Sequence, residues 1–414
     1  MAHIDTRTLA CGATLVVERI DGVGSAALHW LVPAGVAYEP DHLQGMGSMW
    51  SELLMRGSGN LDSRQAADAF DRLGAGRGSE PGSLFMRMSA TLLGERAPEV
   101  LPLLVDMVRR PRMSEDALEP ARDLALQALE SLRDNPQERA TLAARERHFP
   151  TPFNRSGMGT EDGLKALTRK DLTETWARLA VPGGSIFAAA GKVDPAALEA
   201  QLNDLLKGWS GGHPEPVKGP PPPRGYAHEP DETNQVQILL VHDAPTERDE
   251  NSLLEKIVVS VLSGGMSGRL FTEVREKRGL CYSVSAGYRG DRDFGAVSGY
   301  VGTTPERAQE SLDVLIAELQ RIHTPAGRVT KDEFDRAKIG MKSRVIFSGE
   351  STSARAGAIA SDMHRLGRPR TLDELERRID EVTLDRVNDY LAKRTMGTLT
   401  IQTLGPKELK PPAA

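Results

Sequence analysis

The sequence predicts an α+β fold of two similar tandem domains, each a largely antiparallel sheet with helices packed on it. Three observations predict it. Strand-like and helix-like runs are mixed along the chain without strict alternation, as expected for helices laid on antiparallel sheets. A run centred on Gly219-Pro220-Pro221-Pro222-Pro223-Arg224-Gly225 breaks the chain near its middle, and such a run is stiff, extended and unable to join a sheet. Finally, Leu167-Thr168-Arg169-Lys170-Asp171-Leu172, with the helix and strand that follow, is matched 215 residues later by Val382-Thr383-Leu384-Asp385-Arg386-Val387 with its own helix and strand. That match points to an internal duplication. The expected division is a domain at 1–212, a linker at 213–228 and a domain at 229–414.

In chain order, Thr14 to Arg19 and Ala26 to Val32 are strand-like with Asp21-Gly22 between them, the chemistry of an opening hairpin. Gly45 to Met55 is helical, because Met46, Met49, Trp50, Leu53 and Leu54 follow the stripe of a helix packed on a core. Its opposite face carries Ser48, Ser51 and Glu52. Ser63 to Leu73 reads as a helix, Ser83 to Leu93 as a strand, and Pro98 to Arg109 and Ser114 to Arg133 as helices, the last capped by Ser114. Thr168 caps the helix Arg169 to Ala180, and the strand Ser185 to Ala190 follows. Beyond the linker the same grammar returns: strand Gln237 to His242, helix Asp249 to Leu262, strand Val297 to Thr303, helices Pro305 to His323 and Lys331 to Ile346, and a final strand Gly397 to Thr403.

Composition removes several classes of function. The net charge of -6 with both signs interspersed gives no electrostatic reason to bind nucleic acid or an anionic membrane. No run of eighteen apolar residues exists, and Met1 to Ile20 lacks the basic start and apolar run of a secretory signal. The expectation is a soluble, cytoplasmic protein, or a periplasmic one if a signal has been removed. Cys11 and Cys281 offer neither a disulfide framework nor a Cys-x-x-Cys site. Two further readings fail on their motifs. Ser48 and Ser51 lack both a histidine in helical register and a G-x-S-x-G elbow, and Gly264 to Gly268 lacks the lysine of a phosphate loop.

The stretch Arg275-Glu276-Lys277-Arg278-Gly279-Leu280-Cys281-Tyr282 closes one helix and opens a strand. Ser267 caps the helix, Leu270, Phe271 and Val274 are its inward positions, and Gly279 stops it. Period two then places Tyr282, Val284, Ala286 and Tyr288 on one strand face. Arg275, in the last helical turn, and Tyr282, at the strand's start, can converge on one ligand. The plainer reading makes Arg275 and Arg278 solvated partners of the helix C-terminus and Tyr282 a core aromatic.

Continued through Ser283-Val284, and preceded by Gly264-Gly265-Met266-Ser267-Gly268-Arg269-Leu270, that stretch resembles the second-domain Arg/Tyr signature of the insulinase and pitrilysin family of zinc metallopeptidases. More closely, it resembles the bacterial half-size members similar to the mitochondrial processing peptidase. Gly157-Met158-Gly159-Thr160-Glu161 and Ala190-Gly191-Lys192-Val193-Asp194-Pro195 look like further landmarks of the family, and the likeness covers nearly the whole chain. It implies two similar α+β domains forming half of a clamshell around a peptide. It also implies an H-x-x-E-H motif on the first-domain helix, where two imidazoles one turn apart hold zinc and a Glu takes a proton from the bound water. Here Ser48 and Glu52 stand at the histidine positions and Ser51 at the base. The family's further carboxylate falls at Ala128, with Glu130 the nearest acid, and His42 is the one histidine near the helix.

The resemblance therefore implies a non-catalytic, zinc-less subunit of a heterodimeric zinc metalloendopeptidase, inactive alone and without a metal of its own. A homologous H-x-x-E-H partner would hold the zinc, and this chain would supply Arg275 and Tyr282 to the partner's site for hydrolysis of unfolded peptides. The alternative is a structural or assembly scaffold of the same fold, with no part in proteolysis.

Overall fold

The structure, a computed structural model, describes residues 4–411, so the first and last three residues of the expected domains lie outside it. The chain divides into two units. One comprises residues through Ser131, then Thr151–Gly219 and Ser348–Asp373; the other comprises Leu132–Pro150, Pro220–Phe347 and the residues from Glu374 on.

The first unit holds a six-stranded sheet of β1 (Ile4–Thr8), β2 (Thr14–Arg19), β3 (Ser25–Val32), β4 (Gly76–Pro81), β5 (Met86–Leu93) and β6 (Ile186–Gly191), in the order β1-β2-β6-β3-β5-β4. The second holds β7 (Gly225–Pro230), β8 (Val236–Asp243), β9 (Cys281–Gly290), β10 (Gly295–Thr303) and β11 (Thr400–Gly405), in the order β7-β11-β8-β10-β9. Set β1 aside and the two orders coincide strand for strand. In each, one pair is parallel, β2 with β6 and β7 with β11, and every other pair is antiparallel. The fold is thus α+β with two similar domains.

The hairpin expected from Thr14–Arg19 and Ala26–Val32 does not form, and β2 pairs antiparallel with β1 instead. β6 lies between β2 and β3, parallel to one and antiparallel to the other, so Asp21-Gly22 turns the chain past a strand that arrives from far along the sequence. Every residue of β6 and of β11 is buried, which is what the centre of a sheet covered on both faces requires. The expected linker 213–228 also enters a sheet at its end, because β7 begins at Gly225 and runs beside β11. The proline run stops at Pro223, and β7 lies at the sheet's edge, where the one proline it contains, Pro230 at its last position, is tolerated.

Neither unit is a contiguous half of the chain. The helix Pro136–His148 lays Ala140 and Ala144 on Leu239, Val241, Ala296, Tyr300 and Leu404 of the second unit's sheet. The helix Thr352–Leu366 lays Ile359 and Ala360 on Val16, Leu31, Ile186 and Ala188 of the first. Each covers the sheet face that its unit's main helical layer leaves bare. Local signals mark both helices: Asn135 and Ser351 cap them through the amides of Glu138 and Ala354, and Gly367 ends the second at φ 76°. Their short buried stripes carry no large apolar period to announce them.

Candidate functional site

The helix Met46–Leu53 of the first unit buries Met46, Met49, Trp50 and Leu53, as its stripe predicts. Its N-terminus is fastened by an acid that the pattern did not single out. The carboxylate of Glu39 accepts from the amides of Gly45 and Gly47, each at 2.7 Å, and burial pushes its pKa up to about 7 against those bonds. Gly47 is required by close approach, since a Cβ there would meet Pro81 of β4 at 2.9 Å.

Ser48, Ser51 and Glu52 are each half-exposed on the helix's other face. The Ser51 hydroxyl donates to the Ser48 carbonyl at 2.7 Å, Ser79 donates to the Ser51 carbonyl at 2.5 Å, and Glu52 pairs with Arg56 at 3.3 Å. Two neutral hydroxyls and a carboxylate already answered by an arginine do not fit zinc, which takes imidazole or thiolate with at most part of its shell from carboxylates. Ala128 and Glu130, on the helix Glu115–Ser131, both face solvent. Among the described residues, no three His, Cys, Asp or Glu side chains gather to hold a metal.

In the second unit the Arg/Tyr stretch is held at both ends. Arg269 is buried and pairs with Glu333 at 2.6 Å, while its other nitrogens donate to the carbonyls of Gly327 and Arg328. Burial opposes the charge on Glu333, yet Arg269 and Thr330 hold that carboxyl down at about 2. The segment Phe271–Glu276 is a π-helix, with the Lys277 amide reaching back to the Thr272 carbonyl at 2.9 Å. Such widened turns recur at functional sites. Gly279 ends it at φ 59°, and the Thr303 hydroxyl donates to the Leu280 carbonyl at 2.5 Å.

Leu270 and Val274 point into the core as expected, but Phe271 stays half-buried outside it. Tyr282 also departs from the expected face. β10 pairs Gly302 with Ser283 and Thr303 with Cys281, so Tyr282 is the extra residue of a bulge. Cys281, Val284 and Ala286 pack against the core, and Tyr282 is turned out to 78% exposure. Bulges re-aim side chains in this way. The structure does bring Arg275 and Tyr282 together: the guanidinium lies over the Tyr282 ring at 5.1 Å and over the Phe271 ring at 4.8 Å.

Neighbouring groups are committed elsewhere. Glu273 pairs with Lys277 at 2.7 Å and Arg278 at 2.9 Å, and those hydrogen bonds lower its pKa. Burial pushes the Cys281 thiol up to about 11, away from thiolate chemistry. The side chains of Arg275 and Tyr282 have no hydrogen-bond or ion-pair partner among the described residues. They present a phenol donor on β9, the sheet's edge strand, and a cation from the π-helical segment beside it. The serines and Glu52 belong to the first unit and the Arg/Tyr pair to the second.

Two family models match the chain: insulinase (peptidase family M16) over residues 15–161, and the peptidase M16 inactive domain over residues 166–341. Proteins named as uncharacterized zinc proteases are similar over nearly their full length. One from Mycobacterium tuberculosis (strain H37Rv) is 26% identical over 98% of this chain and 94% of its own. One from Bacillus subtilis is 25% identical over 91% and 92%. Among solved structures, a peptidase M16 inactive domain from Pseudomonas fluorescens matches with TM-score 0.87 at 22% identity over 99% of both chains. A chain of complex III2 from Candida albicans matches with TM-score 0.82 at 16% identity over 98% of this chain and 96% of that one.

Proposed function

This chain belongs to the insulinase family of peptidases, family M16, and from that premise we propose that it is the zinc-less subunit of a heterodimeric metalloendopeptidase. The observation that carries the reading is the Arg275–Tyr282 pair, with Tyr282 turned outward on an edge strand, in a chain whose Ser48, Ser51 and Glu52 face does not fit zinc. A homologous H-x-x-E-H subunit holds the metal and the general base. This chain contributes binding and charge stabilisation.

Attack of water on a peptide carbonyl builds negative charge on its oxygen, and a phenol O–H aimed there stabilises that charge most in the transition state. Tyr282 is free to donate in this way, and the Arg275 N–H edge can grip a neighbouring substrate carbonyl. An unfolded peptide adds as a further strand along the open edge of β9, where main-chain hydrogen bonds give affinity with little sequence demand.

A second reading, a scaffold of the same fold, draws on the likeness to the complex III2 chain. It leaves the exposed, unpaired Tyr282 without a purpose. The experiment is to purify the chain alone and with a candidate H-x-x-E-H subunit, then measure zinc content and cleavage of an unstructured peptide. Neither stoichiometric zinc nor cleavage is expected from the chain alone, and both are expected from the mixture. One zinc per lone chain overturns the reading, and a stable, zinc-loaded pair that needs nothing from this chain to cleave favours the scaffold.

A further inference from the structure

We propose that Phe271 is a positioning residue: its ring fixes the Arg275 guanidinium, and through it the Tyr282 ring, so that the N–H edge of one and the hydroxyl of the other face a bound peptide. The inference rests on the peptidase reading above for its purpose, and on geometry for its substance.

Phe271 sits between Leu270 and Val274, both fully buried, with Leu270 in the second unit's core cluster. By sequence it has the same apolar standing, yet it stays half-buried and outside that cluster. An aromatic ring left partly in water gives up hydrophobic stabilisation that its two neighbours obtain. What its ring meets instead is the Arg275 guanidinium, 4.8 Å from its centroid. Phe271 and Arg275 stand four residues apart in the π-helical segment, a spacing that keeps two side chains on the same side of a helix.

The stack leaves the chemistry of Arg275 available. A guanidinium carries five donors around its rim, and beside the two rings those of Arg275 make no hydrogen bond to any described residue. The nearest competitor, Glu273, is already held by Lys277 and Arg278. Tyr282, in turn, stands on a bulge at 78% exposure, and its ring touches Arg275. Restraint therefore passes from Phe271 to Arg275 to Tyr282. Removing the first ring frees the guanidinium to swing away and leaves the phenol without a fixed bearing.

The first unit shows the alternative use of the same pairing. Arg77 of β4 lies over Phe70 at 4.4 Å, but Phe70 is buried and the Arg77 nitrogens donate to the carbonyls of Ala66 and Met55. There the stack closes a corner of the fold. Around Arg275 the same stack is built with its donors unclaimed.

The test compares Phe271→Leu, which keeps an apolar side chain but removes the ring, with Phe271→Tyr, which keeps the ring. In the chain alone, NMR resonances of the Tyr282 ring and the Arg275 Nε–H, assigned with Tyr282→Phe and Arg275→Lys, should move in Phe271→Leu and stay in Phe271→Tyr, with thermal unfolding confirming that both variants fold. In the assembled pair, Phe271→Leu should lower kcat about fivefold, the order of a partly exposed cation–π contact, with KM little changed and Phe271→Tyr restoring the rate. Unmoved Tyr282 resonances in Phe271→Leu overturn the proposal, as does an unchanged kcat in a pair whose turnover Tyr282→Phe does lower. If Tyr282→Phe itself leaves turnover intact while the resonances move, the peptidase reading falls and the Phe271 stack stands.

Discussion

The two units share five strands in one order and one set of directions, yet they use the corner between second helix and edge strand in opposite ways. In the first unit the helix Ser63–Arg72 leads to β4, and Arg77 stacks on buried Phe70 with its donors given to two backbone carbonyls. In the second a π-helical turn leads to β9, where a bulge turns Tyr282 outward and Arg275 keeps its donors unspent. The difference teaches how two similar units can build one corner in two ways. In the first unit the arginine's hydrogen bonds are satisfied internally and close the corner, whereas in the second its donors are left open to a ligand.

The helices that cross between the halves of the chain test how differently the units are held, and they carry the largest expected effect. Arg355, on Thr352–Leu366, forms a fully buried ion pair with Glu18 at 2.7 Å. Arg139, on Pro136–His148, pairs with Glu229 and Asp231 at partly exposed positions. Arg355→Ala strands a buried carboxylate and should cost about 3–5 kcal/mol in chemical denaturation. Arg139→Ala should cost about 1 kcal/mol or less. Equal losses would show that the two crossing helices are anchored alike.

The corner comparison comes next in size. Arg77→Ala removes hydrogen bonds from a charged group to two carbonyls and should destabilise the first unit by about 2–3 kcal/mol, with turnover of the assembled pair unchanged. Arg275→Ala should lower kcat/KM and alter stability by less than about 1 kcal/mol. Reversal of that pattern would undo the distinction between the structural corner and the functional one.

Acid should sharpen the contrast further. In the second unit His242 is buried beside Arg394 at 3.1 Å, and burial followed by that charge lowers its pKa from 6.5 to about 3. The unfolded chain therefore takes a proton that the folded unit refuses. This contribution to stability is lost as pH falls below about 6.5, by about 1.4 kcal/mol at pH 5.5. Glu39 in the first unit responds with the opposite sign: its folded pKa of about 7 lies above the ordinary 4.5, so acidification between those values favours the folded state. Hydrogen exchange across pH 7.5 to 5.5 should show β8 losing protection, and His242→Gln should flatten that loss while Glu39→Gln makes acid more damaging to the helix Met46–Leu53. An unaltered slope in both variants would remove these groups from the account.

Much of this was legible in the sequence because it is local. The stripe Met46, Met49, Trp50 and Leu53 lies buried as its spacing demands. Thr168 and Thr383 both cap their helices, through the amides of Asp171 and Arg386, and the shared strand order bears out the duplication their match suggested. What escaped depends on partners distant in the chain. Nothing near Asp21-Gly22 says that β6 will separate β2 from β3. The exposure of Tyr282 follows from a bulge set by pairing with β10, which strict alternation does not foresee. Phe271 read as core because its neighbours are core, and a pattern of apolar residues does not tell that its ring meets the Arg275 guanidinium instead.

The central claim is that the second unit's outward corner completes an active site in a partner. The most direct measurement is the turnover of an unstructured peptide by the assembled, zinc-loaded pair when this chain carries Tyr282→Phe, a change that removes one hydroxyl and keeps the ring over which Arg275 lies. The account predicts a fall of more than about tenfold in kcat, the order of losing one oxyanion donor. Turnover equal to that of the unaltered pair would contradict it.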